Sequence, residues 1–254
     1  MCPVYDRIGA TYARYRRPDP RIAAQIGRAL GDAPTIVNLG AGSGSYEPTD
    51  RTCIAVEPSA VMIAQRSPNA APVVQAVAER LPFADGSFAG AAAILTVHHW
   101  PDLRAGLDET RRVARGPIVI LTWEESLSRS LWLIDEYLPE AAVHDDSLAR
   151  LDDVCRLLPG CTVETIPVPH DCTDGFFAAY WRRPEMYLDA DARAAISGMA
   201  LLPVAALERM AAELAADLAS GAWQERHADL LDQTTRDYGY RLVISPGDHG
   251  SRRR

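Results

Sequence analysis

Three glycines, Gly40, Gly42 and Gly44, occupy alternate positions directly behind the short apolar run that starts at Ile36. A second apolar run follows and closes on a single acid, Glu57, in AVEPS. A glycine turn after a strand lets a ligand lie against bare backbone. An acid ending the next strand is placed to accept two hydrogen bonds from a ribose diol. Together they describe a nucleoside reader and leave the nucleoside open. A dinucleotide would need G-x-G-x-x-G and a helix N-terminus facing the pyrophosphate. Ser45 stands at the third glycine's place and Pro48 interrupts the expected helix, so a pyrophosphate site is poorly supported.

A second reactive group is Thr96-Val97-His98-His99-Trp100. Histidine titrates near neutral pH, which makes His98 or His99 a candidate general base. The competing reading is a pair that orients its loop or packs on Trp100. Phe176, Phe177, Tyr180 and Trp181 are candidates for the wall of an acceptor pocket with Trp123 beneath, although residues at that spacing also serve a core. Arg182 and Arg183 are candidate partners of an acidic acceptor, or an exposed helix end; Glu124 and Glu125 are weaker candidates for orienting one. His144, His170, His227 and His249 lack ligand spacing, so no metal site is expected.

Composition removes other chemistries. All 26 basic residues are arginine. Without lysine there is no P-loop lysine, no Schiff base and no lysine general base. A net charge of -8 argues against a nucleic-acid surface. The five cysteines are scattered and form no C-x-x-C, which favours reduced thiols over disulfides or zinc. With no apolar run near the ~20 residues that span a bilayer, and no signal-peptide core in MCPVYDRIGATYARYRR, a cytoplasmic protein away from membranes is expected.

The elements that must position these residues alternate. Helical spacing is read at Pro20–Leu30, Ala60–Gln65 behind a Ser59 cap, and Leu103–Ala114; strands at Thr35–Leu39, Cys53–Val56, Val73–Val77, Ala89–Val97 and Pro117–Trp123. This alternation implies a parallel sheet covered on both faces, with ligands beyond the carboxyl ends of the strands. Further on, helices are read at Ser128–Leu138, Ser147–Leu158, Gly175–Tyr187 and Pro203–Ser220, and strands at Thr162–Val168 and Tyr240–Ile244. The long stretch between those last strands is too large for a simple connection and is read as a lid.

The pattern resembles class I S-adenosylmethionine-dependent methyltransferases of the bacterial small-molecule branch. It carries Asn38-Leu39-Gly40-Ala41-Gly42-Ser43-Gly44, then Glu57, then the run from Ala78 to Phe88 (AERLPFADGSF), then HHWPD and a helix ending in RVAR. The resemblance covers Tyr5 to Trp123 and is looser beyond, through DGFFAAYWRRP and YGYRLVIS. It implies a Rossmann-like α/β fold with a mostly parallel seven-stranded sheet, and S-adenosylmethionine as cofactor. It implies cofactor contacts from Tyr12, Arg16, Gly40, Ala41, Gly42, Gly44, Glu57, Pro58, Met62, Ala78, Glu79 and Thr96, with Tyr5 also folding over. Trp100 joins Trp123, Phe176, Phe177, Tyr180 and Trp181 in the expected substrate pocket. Three positions depart from the family pattern: Asn38, Val77 and Ala89 stand where acids are usual. Each loses a hydrogen bond of about 1 kcal/mol. The helix after Gly44 is expected to be one turn short, with twelve residues between Gly44 and Glu57.

The expected organisation is an N-terminal helical cap (1–30), a nucleoside-binding domain (31–169 and 236–246), a helical lid (170–235) and a loose tail (247–254). The expected activity is methyl transfer to a small-molecule acceptor, in a monomer or homodimer without nucleic-acid or membrane partners. The rivals are a catalytically silent or repurposed binder of the same cofactor and a nicotinamide-linked oxidoreductase.

Overall fold

Alternating apolar strands and amphipathic helices build a three-layer α/β sandwich. A computed structural model describes residues 12–145 and 150–247. Helix α1 (Pro20–Leu30) begins where the Asp19 carboxylate accepts from Arg21 N, with Pro20 in the first turn, and stops at Gly31, whose φ is 54°. An oxygen-bearing cap, an early proline and a terminal glycine are the local instructions for such a helix. Then follow β1 (Thr35–Leu39), β2 (Thr52–Val56), α2 (Ala60–Ala64), β3 (Val73–Val74), β4 (Gly90–Ile94), α3 (Leu103–Val113) and β5 (Ile118–Trp123). The second half adds α4 (Leu151–Leu157), β6 (Thr162–Thr165), β7 (Val168–Pro169), α5 (Val204–Ser220), β8 (Thr235–Arg236) and β9 (Tyr240–Ser245), with short helical turns between them.

Seven strands form one Rossmann-like sheet in the order β3-β2-β1-β4-β5-β9-β6. All run parallel except β9, which is antiparallel to both β5 and β6. Strand periodicity divides the core in two. Ile36, Ala92, Val119, Leu121 and Leu242 face one side and meet Ile22, Ile26 and Leu30 of α1. Val37, Leu39, Ala91, Ala93, Ile118, Ile120 and Val243 face the other and meet Leu107 and Val113 of α3 and Val154 of α4. Among the described residues no helix is long and apolar enough to cross a membrane.

Several expectations are corrected. Between Gly40 and Arg51 there is no helix at all, only turns. Gly42, Gly44 and Tyr46 all have positive φ, which a right-handed helix cannot hold, and Pro48 disfavours helix at Glu47. β4 ends at Ile94 because Leu95 turns the chain with φ 51°, and Val97–His99 form a single 3-10 turn. β3 pairs over two residues only, and β6 stops before Pro167, after which β7 leaves for a ribbon with β8. Residues 128–138 give a turn and a short π-helical segment, Leu133–Tyr137. Of the helix expected at Gly175–Tyr187, only its end is helical, as a 3-10 segment over Pro184–Leu188. Side chains there occupy the backbone instead: Trp132 Nε1 donates to Trp181 O at 2.8 Å and Tyr187 OH to Phe177 O at 2.7 Å.

α1, expected in a cap, is a layer helix of the sandwich. The lid does not have a core of its own: Tyr187, Met199, Met210 and Trp223 belong to the same cluster as Ile36 and Val119 of the sheet. Tyr5, the Tyr12 side chain, residues 147–149 and most of the tail lie outside what is described.

Candidate active site

Where β1 ends, the backbone must turn sharply and stay close to its neighbours. Gly40 and Gly42 adopt φ 61° and 53°. Gly40 lies against β4's exit so closely that a Cβ there would come within 1.9 Å of Thr96 Oγ1. Ala41 N donates to Val56 O at 3.0 Å, tying the turn to β2. Glu57 completes it: Oε2 accepts from Gly42 N and Oε1 from Ser59 N, both at 2.8 Å. The carboxylate is buried, and a carboxylate oxygen is an acceptor suited to a sugar hydroxyl. In place of the missing helix, Glu47 and Arg66 form a buried ion pair, 2.5 Å apart. Arg66 also donates to Gly42 O at 3.1 Å, and Glu47 accepts from Ala71 N at 2.9 Å.

These elements enclose a chamber of about 100 Å³ lined by Arg16, Gly40, Ala41, Gly42, Glu57, Pro58, Met62, Ala78, Glu79 and Thr96, and by Trp100. Asn38 lines it too, and its Nδ2 is buried there with no protein partner. A buried donor left without an acceptor costs about 1–3 kcal/mol, so it is a place where a ligand oxygen is favoured. Gly44 is turned away, toward Glu47, Ala70 and Arg66. Tyr46 was not anticipated; it lines the chamber, and burial first, then the nearby Asp174 carboxylate, push its phenol well above the ordinary range. It remains protonated and does not act as a base.

A larger chamber of about 350 Å³ adjoins the first. Its walls include His98, Trp123, Phe176, Phe177, Tyr238 and Tyr240, with the Phe176 and Tyr240 rings 4.5 Å apart. Arg16, Leu95 and His99 line both chambers and so mark where they meet. The His98 ring lies 3.8 Å from that of His99 and 4.5 Å, edge-on, from Trp123. Trp100, expected on the acceptor side, borders only the smaller chamber, braced on Gly106. Tyr180 and Trp181 line neither. They are core residues, Tyr180 packing edge-on to Tyr187 and Trp181 Nε1 donating to Val168 O at 3.2 Å. Arg182 is bonded to Gln233 O and Arg183 to Cys172 O. Glu124 pairs with Arg241 at 3.1 Å and Glu125 with Arg150 at 3.0 Å. Tyr238 and Tyr240 had a usable signal in YGYRLVIS: a strand antiparallel to β5 starts where β5 ends, and Tyr240 pairs with Trp123. Leu95 and Tyr46 had none, since positive φ at such residues is uncommon.

Residues 37–117 match the family model described as a methyltransferase domain. A putative methyltransferase from an antibiotic biosynthesis pathway of Anabaena variabilis is 34% identical, covers 91% of this chain and 98% of its own, and superposes with a TM-score of 0.85. The chain belongs to the class I S-adenosylmethionine-dependent methyltransferases. Two more distant structures share the fold alone. YcgJ of Bacillus subtilis has 17% identity and a TM-score of 0.50, covering 91% of this chain and 99% of its own. The [4+2]-cyclase SpnF has 14% identity and a TM-score of 0.50, covering 91% and 82%. No curated protein matches the chain significantly. This methyltransferase uses S-adenosylmethionine as its methyl donor, and the buried Asn38 donor and the Glu57 carboxylate are chemically suited to the donor's polar ends.

Proposed function

We propose that this methyltransferase moves a methyl group to a small organic acceptor seated in the larger chamber, with the donor in the smaller one. The observation that carries this reading is the junction: Arg16, Leu95 and His99 belong to both chambers, so ligands filling them would touch there. The bound donor supplies a methyl carbon activated by positively charged sulfur. The protein's part is to hold the two partners together and keep water out. Glu57 grips the ribose hydroxyls, Asn38 Nδ2 donates to the methionyl end, and Met62, Pro58 and Ala78 pack around the base. Gly40, Ala41 and Gly42 provide the bare backbone along which the donor lies. His99 at the junction accepts the proton an acceptor hydroxyl or amine must lose, and His98 fixes its ring orientation.

Calorimetry with S-adenosylhomocysteine tests the donor half. Glu57→Ala removes both the anchor of the Gly42 amide and the sugar acceptor, and is expected to weaken binding at least ~100-fold, on the scale of ~3 kcal/mol for bonds to a charged group. Equal affinity in the variant would refute the ribose assignment. Labelled-methyl transfer across a panel of neutral aromatic acceptors tests the other half. Tight donor binding with no turnover for any of them would favour the second reading, a cofactor binder without catalysis. That reading draws on Asn38 and on Val77, which stands 47% exposed at the chamber rim and brings no carboxylate to it.

A further inference from the structure

The larger chamber is selective in charge as well as shape, and we infer that its ligand is an uncharged, planar aromatic molecule bearing a hydrogen-bonding substituent. The inference rests on the acceptor reading above. Five rings, those of Trp123, Phe176, Phe177, Tyr238 and Tyr240, line the chamber. Flat aromatic surfaces gain both burial and ring–ring geometry in such a site. Among the described residues no carboxylate lines it, so a cationic ligand finds no counter-charge.

The guanidinium in the wall is no better placed to attract an anion. Arg16 Nε donates to Asp174 Oδ1 at 2.5 Å and Nη2 to Oδ2 at 3.4 Å. Asp174 is fully buried and Arg16 nearly so, so the positive charge is cancelled inside the wall. An anionic ligand would have to be desolvated against a pair already satisfied. The neighbouring arginines are fastened elsewhere, Arg182 to Gln233 O at 2.7 Å and Arg183 to Cys172 O at 2.6 Å. The polar side chains of the lining besides Arg16 are those of His98, His99 and Ser197, which can form hydrogen bonds.

Three probes of one ring system separate the alternatives: 2-naphthol, 2-naphthoate and 2-naphthylmethylammonium, each titrated by calorimetry into the full chain with and without S-adenosylhomocysteine. Naphthol is expected to bind at least tenfold more tightly than either ion. Gly198 lies on the chamber wall beside Phe177, whose ring is 3.2 Å from where a Cβ would be. Gly198→Trp fills that space and should abolish naphthol binding while S-adenosylhomocysteine binds as before. Asp174→Asn, checked for folding by circular dichroism, unmasks Arg16 and should shift preference toward naphthoate by tenfold or more. Either ion binding as well as naphthol to the unmodified chain would overturn the proposal, as would binding of none of the three, or naphthol binding that survives Gly198→Trp. Failure of S-adenosylhomocysteine to bind would strike the donor assignment alone, since the probes still report the chamber's preference without it.

Discussion

A methyl group added at Gly40 would need the space of the Thr96 side chain, 1.9 Å from its Oγ1 and 2.7 Å from its Cβ, at a φ of 61°. Gly40→Ala is therefore expected to cost about 1–3 kcal/mol in strain and displacement and to weaken S-adenosylhomocysteine binding, since the turn and the chamber share this backbone. Chemical denaturation beside calorimetry checks both. Asp19 makes a different kind of prediction. Burial alone would raise its pKa, but Arg21 and the backbone N–H groups of Thr173 and Arg21 outweigh that and hold it below its ordinary 3.8. A carboxylate depressed in the folded state contributes stability that is present above the unfolded value and lost as pH falls through the folded one. Asp19→Asn should thus be less stable than the parent at about pH 6, with the gap closing as the pH is taken below the ordinary 3.8 and Asp19 protonates. Urea titrations across that range decide it; a constant gap would contradict the assignment. At this scale the sequence was informative wherever a residue type has one physical use. Glycines behind a strand and a lone acid after the next were legible. The positive φ of Tyr46 and Leu95 was not, because it is imposed by packing.

The segment between β1 and β2 shows how an element can be replaced by an ion pair. Proline and three left-handed residues forbid a helix there, and Glu47 with Arg66 takes over the task of pinning Gly42. Both side chains are buried, so Glu47→Gln leaves an uncompensated guanidinium. We expect a loss of at least ~3 kcal/mol, a Tm lower by about 6–12 °C for a chain of this size, and weaker S-adenosylhomocysteine binding in parallel. A change in Tm without any change in affinity would show that the pair holds the fold but not the site. Helix α1 was legible because its cap, proline and terminal glycine act locally. The stretch from Gly175 to Tyr187 misled because its aromatic spacing suits a helix, while side chains take its carbonyls: Trp132, 49 positions away, bonds Trp181 O, Tyr187 bonds Phe177 O and Arg183 bonds Ala179 O.

At the scale of the molecule, the described residues of the 170–235 region and one face of the sheet share a single hydrophobic cluster. Trp181 and Trp223, from the 170–235 region read as a lid, share a cluster with Trp132 and with Ile36, Val119 and Leu242. Tryptophan fluorescence and far-UV circular dichroism should accordingly report the same thermal transition. An earlier fluorescence transition would mean that the lid opens or melts on its own. A domain boundary requires that few contacts cross it, and here Tyr187, Met199 and Met210 share one cluster with Ile22 and Ile26 of α1 and with Ile36 and Val119 of the sheet.

The family and the donor followed from the chain alone, because each depends on short-range spacing: glycines at alternate positions, one carboxylate a strand later, helices and strands in turn. The larger chamber did not. It exists because β9 inserts antiparallel beside β5, bringing Tyr238 and Tyr240 to Trp123, and because Asp174 reaches Arg16 across 158 positions of chain. Which aromatic residues face the cavity and which fill the core, and whether an arginine there carries a net charge, are properties of packing between distant segments. Only the tertiary structure could decide them.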